Sequence, residues 1–384
     1  MRFEFATATR IVFGQKAIKE LVPSAKLFGQ RALVVVGRSG QRIAGLIAQL
    51  REAGIAVSEF RVSVEPTVAV IEAGLGQAKA ERCDLVISIG GGSVIDSGKA
   101  IAGLMTNLGR IYDYLEVVGL GHPLINSSAP FIAIPTTAGT GSEVTRNAVL
   151  TAVDQRVKVS LRSPLMLPRL AIVDPELTYG LPPEITAAAG LDALTQLIEP
   201  FLSNASNPLT DSICREGMRR VSRSLQIAYQ HGNDPRARED MALASLFGGI
   251  ALANSKLGAV HGFAGPIGGM FPVPHGAICA RLLPVVLETN LKALRNRLDQ
   301  GSGLERFTEM SRILTDDQDS RAEDGIQWLH DLCVTLKVSP LATYGIKKSD
   351  FPEIISQAKK ASSMKGNPIE LMDNELLQVM ELAL

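Results

Sequence analysis

The sequence has no surplus of charge of either sign. Its 384 residues contain 39 Lys and Arg against 39 Asp and Glu, so the formal net charge at pH 7 is zero. A protein that binds nucleic acid or an anionic membrane surface needs an excess of basic residues. We therefore expect no nucleic-acid partner and no membrane partner, and a small molecule is the expected substrate.

Cysteine is also scarce, and no two cysteines form a C-x-x-C pair. This distribution favours a reduced, cytoplasmic protein with buried structural thiols over a disulfide framework or a thiol nucleophile. The four residues are Cys83, Cys214, Cys279 and Cys333. The sequence also lacks an apolar run of the ~18 residues that a membrane span requires. Its start, "MRFEFATATRIVFG", alternates apolar and polar residues like a strand and has no signal core.

The first part of the chain has a repeated strand and helix pattern. Short apolar runs without polar alternation are typical of parallel strands buried on both faces. Helical patterns lie between these runs, so we predict a doubly wound, mostly parallel α/β domain. The runs are "RALVVVG" (31–37), "DLVISIG" (84–90), "PFIAIPTT" (130–137) and "LAIVDP" (170–175).

The pattern changes near residue 180, at "YGLPPEITAAAG" (179–190). Pro183 is placed to open a helix, and helical patterns then dominate to the end. We predict an α/β domain over 1–180 and an all-α domain over 181–384, with chemistry in the cleft between them. The predicted helices are 183–203, 209–230, 235–257, 276–297, 302–315, 321–336 and 350–361.

Two glycine-rich segments each follow a predicted buried strand, "SIGGGSVIDSGKA" (88–100) and "PTTAGTGSEVT" (135–145). We expect Ser93 to cap the next helix, whose free N–H groups favour a phosphate. Both loops line one edge of the sheet, where nucleotides bind. The alternative is a pair of tight turns without a ligand. The predicted cofactor-binding residues are Gly91, Gly92, Ser93, Asp96, Thr136, Thr137, Thr140 and Ser142.

A third turn, "VVVGRSGQR" (34–42), bears on the choice of dinucleotide. NAD-preferring sites usually hold the ribose 2′-OH with an acidic residue, and this turn has none. A cation and a hydroxyl suit a 2′-phosphate better. We therefore predict NADP as the preferred cofactor, with NAD as the alternative, bound at Gly37, Arg38 and Ser39. The alternative is that Arg38 and Arg42 are ordinary surface charges.

A candidate metal-ligand set comes from two distant segments. His261 and His275 lie in "VHGFAGPIGGMFPVPHG" (260–276), and the chain has only five histidines. In "GLDALTQLIEP" (190–200), Asp192 and Gln196 share one helix face because they are four residues apart. Two imidazoles and a carboxylate suit Fe(II) or Zn(II). The alternative is a metal-free pocket in which the histidines form hydrogen bonds.

Taken together, "GGGSVID", "PTTAGTGSEVT", "GLDALTQLIEP" and "VHGFAGPIGGMFPVPHG" resemble the iron-containing (group III) alcohol dehydrogenase family in order and spacing. The resemblance implies a dehydroquinate synthase-like fold, with a dinucleotide-binding domain over 1–180 and a helical metal and substrate domain over 181–384. It also implies NAD(P)-dependent interconversion of a small alcohol and its aldehyde or ketone. It also implies a divalent metal and a homodimer or larger homo-oligomer. Asp192, His261 and His275 match metal ligands, and Lys158 matches a lysine near the cofactor. His261, His275 and Lys158 are therefore the expected catalytic residues.

Two positions depart from that family. Gln196 stands where a His ligand is usual, and Gly265 stands where a further His near the substrate is frequent. An amide oxygen binds Fe(II) or Zn(II) less well than imidazole, although three protein ligands suffice in many catalytic zinc sites. Maleylacetate reductases also depart from the ligand set, so a metal-independent reductase of a keto or unsaturated acid is the alternative. More remote alternatives are a dehydroquinate synthase-like lyase and a nucleotide-binding relative without catalysis.

Overall fold

The computed structural model describes residues 2–37, 40–63, 65–297 and 302–384. The chain divides into two compact units. The first consists of Ala6–Thr137 and Gly141–Thr178, and the second of Tyr179–Leu384 together with Ala138–Thr140 and the N-terminal residues up to Phe5. The first unit is α/β, and the second is helical.

A parallel sheet forms the centre of the α/β unit. Alternate residues of its central strands enter two different hydrophobic clusters, with Leu33 and Val35 in one and Val34 and Val36 in the other. Both faces are therefore buried, which confirms the predicted doubly wound fold. In the described residues the spatial order is β1 (Ile11–Phe13), β8 (Leu170–Val173), β5 (Phe131–Pro135), β4 (Leu85–Gly90), β2 (Arg31–Val36) and β3 (Ala56–Arg61). A separate antiparallel hairpin consists of β6 (Asn147–Ala152) and β7 (Val157–Arg162).

Helices cover the sheet, and one of them packs unusually close. A Cβ atom on Gly98 would lie 1.9 Å from Ser88 Oγ, so only glycine lets its helix approach β4 this closely. The same helix starts two residues earlier than expected. Gly91 is its N-cap, and Ser93 already lies inside its first turn without capping it. The helices of this unit are α1 (Leu21–Phe28), α2 (Gly40–Glu52), α3 (Val68–Ala80), α4 (Gly92–Met105) and α5 (Ile111–Tyr114).

The second unit is a set of helices around one large apolar cluster. The seven predicted helices are present, with ends within a few residues of those expected. Sequence patterns missed two, one of which contains His261, because glycines and Pro266 obscure its periodicity. The helices are α6 (Pro183–Leu202), α7 (Pro208–Gln230), α8 (Pro235–Asn254), α9 (Ala259–Met270), α10 (His275–Arg297), α11 (Ser302–Thr315), α12 (Ala322–Thr335), α13 (Phe351–Lys360) and α14 (Asp373–Ala383).

Within the described ranges, no helix alone has both the length and the hydropathy to cross a bilayer. Helices α8 and α9 meet that criterion only as a pair, and they bend by 96° where they join.

Candidate functional site

Helix α6 buries three polar side chains on one face. Asp192, Gln196 and Glu199 are four and then three residues apart, which aligns them along the helix. Their exposed fractions are 2%, 2% and 5%. Polar groups removed from water in this way need partners, since an unpaired buried group destabilises the fold. The neighbours of these three side chains therefore indicate the role of this face of α6.

His261, in the first turn of α9, is oriented by Glu199. The distance from its Nδ1 to Glu199 Oε2 is 2.7 Å, and Glu199 Oε1 accepts the Val260 N–H at 2.7 Å. A carboxylate on one ring nitrogen fixes the orientation of an imidazole and makes the other nitrogen a better ligand. That other nitrogen, Nε2, lies 3.6 Å from Asp192 Oδ1.

His275 begins α10 and approaches the same carboxylate. A Cβ atom on Gly276 would lie 2.4 Å from the Ala188 carbonyl oxygen, so glycine allows the start of α10 to pack against α6. His275 Nε2 lies 3.7 Å from Asp192 Oδ1, and 31% of the His275 side chain is exposed. His275 therefore provides the accessible side of this group.

Cys279 follows His275 by one helical turn and completes the group. Its Sγ lies 3.6 Å from His275 Nε2 and 3.9 Å from His261 Nε2. One donor atom from each of Asp192, His261, His275 and Cys279 lies within 4.8 Å of the others. Four donors from three helices therefore surround one small volume.

The donor set fits a divalent metal ion. In the described residues, four buried side-chain oxygens lack a hydrogen-bond partner, and two of them are Asp192 Oδ1 and Gln196 Oε1. Metal–donor bonds of roughly 2.0–2.3 Å at tetrahedral angles place nitrogen and oxygen about 3.4 Å apart, and nitrogen and sulfur about 3.6 Å apart. The observed separations, from 3.6 to 3.9 Å, are close to these values. Imidazole and sulfur donors suit Zn(II) or Fe(II).

The titratable groups of the site favour a negative charge on Asp192 and a positive charge on His261. Burial raises the pKa of Asp192, but the two imidazoles and a hydrogen bond from Gln196 outweigh burial and lower it overall. Burial also opposes protonation of His261, yet Cys279, Asp192 and Glu199 raise the pKa of its imidazole well above the ordinary value. Burial raises the pKa of the Cys279 thiol to about 12. The group therefore attracts positive charge, as a cation site requires.

Sequence reasoning missed two members of this constellation. Glu199 lies seven residues after Asp192, on the same helix face, and Cys279 lies four residues after His275. Both spacings were signals that could have been read. The sequence pattern instead assigned Cys279 to a structural core, a role that does not explain its position among three metal-type donors.

The starts of the two glycine-rich loops lie side by side in the α/β unit, whereas Ala138–Thr140 of the second loop group with the helical unit. Thr136 follows β5, and its N–H donates to the Gly90 carbonyl at 3.0 Å. A Cβ atom on Gly91 would lie 3.4 Å from Thr137 Oγ1. Gly91, Gly92 and Ser93 therefore start α4 beside the threonines, at the carboxyl ends of β4 and β5. Their contact with a nucleotide stays a prediction.

Asp96 and Ser142 lie deeper than a simple binding loop would suggest. The Ser142 hydroxyl donates to Asp96, and the Val149 N–H donates to the other carboxylate oxygen at 3.0 Å. Lys99 Nζ lies 3.7 Å from Asp96. Both predicted residues therefore stabilise the conformation of the second glycine-rich segment (135–145), called the hydroxyl-rich loop below. Direct contact with a cofactor stays a prediction for them and for Thr140, which groups with the helical unit.

The remaining predicted positions are distributed as follows. Lys158, on β7, pairs with Glu65 at 3.0 Å and is only 6% exposed. Gly37 follows β2 directly, whereas Arg38 and Ser39 lie outside the described residues. Gly265 lies one turn after His261 on α9, and a Cβ atom there would meet no described atom within 4 Å. The Cβ position of Gly265 therefore borders open space.

Family models match both parts of the chain. The description "Iron-containing alcohol dehydrogenase" applies to residues 8–175, and "Fe-containing alcohol dehydrogenase family, C-terminal" applies to residues 186–384. Among relatives, alcohol dehydrogenase 4 of Schizosaccharomyces pombe is 35% identical, over 97% of this chain and 87% of its own length. The 1,3-propanediol dehydrogenase of Klebsiella pneumoniae is also 35% identical, over 94% of this chain and 97% of its own length.

Solved structures agree with the sequence comparison. A crystal structure of 1,3-propanediol oxidoreductase superimposes with a TM-score of 0.92 at 34% identity, and the match covers 100% of both chains. The resemblance expected from the four sequence motifs is thereby confirmed over both units of the fold. The chain belongs to the iron-containing alcohol dehydrogenase family of oxidoreductases.

Proposed function

We propose that the chain is a metal-assisted NAD(P)-dependent dehydrogenase, with NADP preferred, that interconverts a small alcohol and its aldehyde or ketone. The observation that carries the proposal is the buried, unpaired Oδ1 of Asp192, which faces the Nε2 atoms of His261 and His275. Natural folds rarely leave such an oxygen unpaired unless a ligand completes it. Membership of the family supports the reaction class.

Each residue of the site has a different role in this proposal. A divalent ion held by Asp192, His261 and His275 would polarise the carbonyl oxygen of the substrate. Glu199 keeps His261 in the ring orientation that points Nε2 inward. His275 is the partly exposed donor, so the substrate reaches the site from its side. The space beside Gly265 accommodates substrate bulk next to the His261 turn.

The glycine loops supply the cofactor site in this proposal. The first N–H groups of α4, at Gly92 and Ser93, have no intrahelical acceptor and suit a pyrophosphate. Thr136 and Thr137 add hydroxyl groups beside them. A dinucleotide bound there would exchange the hydride with the substrate carbon. Lys158 is proposed to contact this cofactor and to act in catalysis.

The NADP preference rests on cations near the end of β2. Arg38 supports it from the sequence, and Arg61 supports it from the fold, because Arg61 is paired in register with Val36. A small cavity of about 110 Å³ is lined by Val36 and Arg61, and also by Glu59, whose charge is paired with Arg51 at 2.9 Å. Arg38→Ala and Arg61→Ala should each raise the KM for NADPH more than the KM for NADH. Equal effects on the two cofactors would reject a 2′-phosphate site.

A second candidate is the metal-independent reduction of a keto or unsaturated acid. Gln196 in place of a His ligand and the absence of a side chain at Gly265 favour it. In that case His261, whose pKa is raised, would stabilise the developing negative charge on oxygen. We also propose a homodimer or larger homo-oligomer, and the division into domains 1–180 and 181–384.

The deciding experiment is elemental analysis of protein purified anaerobically without chelators, followed by turnover of a panel of small alcohols, diols, aldehydes and keto acids. We expect close to one iron or zinc per chain and activity that a chelator removes. Chelator-resistant reduction of keto acids by metal-free protein would support the second candidate. Metal without turnover of any alcohol or aldehyde would reject the dehydrogenase.

A further inference from the structure

We infer that Cys279, as a thiolate, is the fourth protein ligand of the metal ion, and that Gln196 is not a ligand but positions Asp192. The centre of this chain is then Asp192, His261, His275 and Cys279. The inference rests on the proposed metal-assisted function, and the experiment below separates failure of the one from failure of the other.

The position of the sulfur carries the first part of the inference. Cys279 Sγ is 3.6 Å from one imidazole Nε2 and 3.9 Å from the other. Nitrogen and sulfur ligands of one tetrahedral ion are about 3.6 Å apart. Cys279 is fully buried and lies one turn beyond His275 on α10, so both side chains leave the helix on the same face. No backbone movement is needed to bring the sulfur into the set.

The surroundings of Gln196 carry the second part. Gln196 lies beside Asp192 and lowers the pKa of that carboxyl, as an amide N–H group facing the carboxylate does. Its Oε1, which has no hydrogen-bond partner in the described residues, would lie 3.7 Å from a Cβ atom placed on Gly248 and is therefore near α8. Gln196 therefore orients the carboxylate that binds the ion and does not itself replace an imidazole.

On binding, the S–H bond of Cys279 breaks, its proton passes to solvent, and a sulfur lone pair forms the bond to the ion. No oxidation or reduction accompanies this exchange.

The test is spectroscopic and does not depend on turnover. Metal-free protein is titrated with Co(II), which reports thiolate ligation by a charge-transfer band in the near ultraviolet and tetrahedral binding by d–d bands in the visible. We expect both sets of bands in the native chain and, at saturating Co(II), in Gln196→Ala, whose Co(II) affinity should be lower because Asp192 loses the residue that positions it. Cys279→Ser should lose the charge-transfer band, and its Zn(II) affinity should fall by more than ~10-fold. Cys83→Ser, which removes a half-buried thiol of the other unit, should match the native chain.

X-ray absorption of the zinc-loaded native protein provides a measurement without any variant, so a misfolded Cys279→Ser does not block the test. One sulfur at bonding distance supports the inference. Cobalt d–d bands without the charge-transfer band, or zinc with nitrogen and oxygen neighbours only, would overturn it while the proposed function stands. If the native chain binds neither cobalt nor zinc, the metal-assisted function and this inference fail together.

Discussion

Two buried polar clusters, one in each unit, differ in how completely they are satisfied. In the α/β unit, Lys99 is fully buried, and its Nζ donates to the Ser142 carbonyl at 2.7 Å, to Thr145 Oγ1 at 2.7 Å and to the Asn147 carbonyl at 2.8 Å. In the helical unit, Asp192 is as deeply buried, but its Oδ1 has no hydrogen-bond partner among the described residues. Lys99 Nζ therefore has the partners within the described residues that Asp192 Oδ1 lacks.

The difference separates a structural network from a ligand site. Lys99 and the carboxylates of Asp96 and Glu143 compensate one another, and the hydroxyl-rich loop is held between them. Asp192 instead faces two imidazole nitrogens and a thiol at distances too long for mutual hydrogen bonds between nitrogen and oxygen, yet suited to a shared cation. A buried polar cluster therefore indicates a ligand site when one of its polar atoms has no hydrogen-bond partner. We call such a cluster incomplete, and one whose polar atoms all have partners complete.

Removing the cation of the complete network should have the largest effect on the fold. Lys99→Met leaves Asp96 and Glu143 buried without a positive partner, and breaking a buried ion pair in this way typically costs about 3–5 kcal/mol. We expect that loss in the free energy of unfolding, measured by denaturant titration. Lys79→Met, an exposed lysine on α3, is the matched control and should change little. A Lys99→Met chain as stable as the native one would mean that the network is not structural.

Removing the carboxylate of the incomplete cluster should act on metal and turnover instead. In Asp192→Ala, the charged donor shared by both imidazoles is lost. We expect metal content at background and turnover lower by more than ~100-fold, since a bound ion contributes several kcal/mol to catalysis. Circular dichroism should show a folded chain. Glu184→Ala, exposed on the same helix, is the control, and full metal content in Asp192→Ala would exclude this residue as a ligand.

Glu199 tests how far the incomplete cluster extends. Its carboxylate binds His261 Nδ1 and also accepts the Val260 N–H, so Glu199→Gln puts an amide where two donors converge. We expect metal affinity to fall by ~10–100-fold, the range typical of groups that orient a ligand. Competition with a chelator of known affinity measures it, with Glu184→Gln as the control. An unchanged affinity would show that His261 holds its orientation without this carboxylate.

How far the sequence predicts each cluster follows from how local its contacts are. The glycine loops follow their strands directly, so strand order and residue type suffice to bring Gly91 and Thr137 together. Asp192, Gln196 and Glu199 align through helical spacing alone. The four-residue spacing puts Cys279 and His275 on one face of α10, but the approach of that face to Asp192 depends on how α10 packs on α6. The helix that carries His261 was missed because its stability comes from burial of Phe263 and Ile267, not from local propensity.

The smallest predicted effect is a change in the pH dependence of stability. Burial raises the pKa of Glu143 from 4.5 to about 7, with Lys99 opposing the shift. Between these two values the folded chain binds a proton that the unfolded chain has lost, so this group lowers stability as pH rises through that window. Lys99, whose pKa burial lowers from 10.5 to about 8, acts in the opposite direction at higher pH, because the unfolded chain then binds the extra proton.

The variant Glu143→Gln tests this pH dependence. Its stability relative to the native chain should increase from pH 5 to pH 7 and should not increase further above pH 7, as measured by unfolding at fixed ionic strength. Glu72→Gln, exposed on α3, should show no such trend. Parallel curves for Glu143→Gln and the native chain would mean that Glu143 ionises in the folded state as readily as in the unfolded one, and that the complete cluster tolerates its charges without strain.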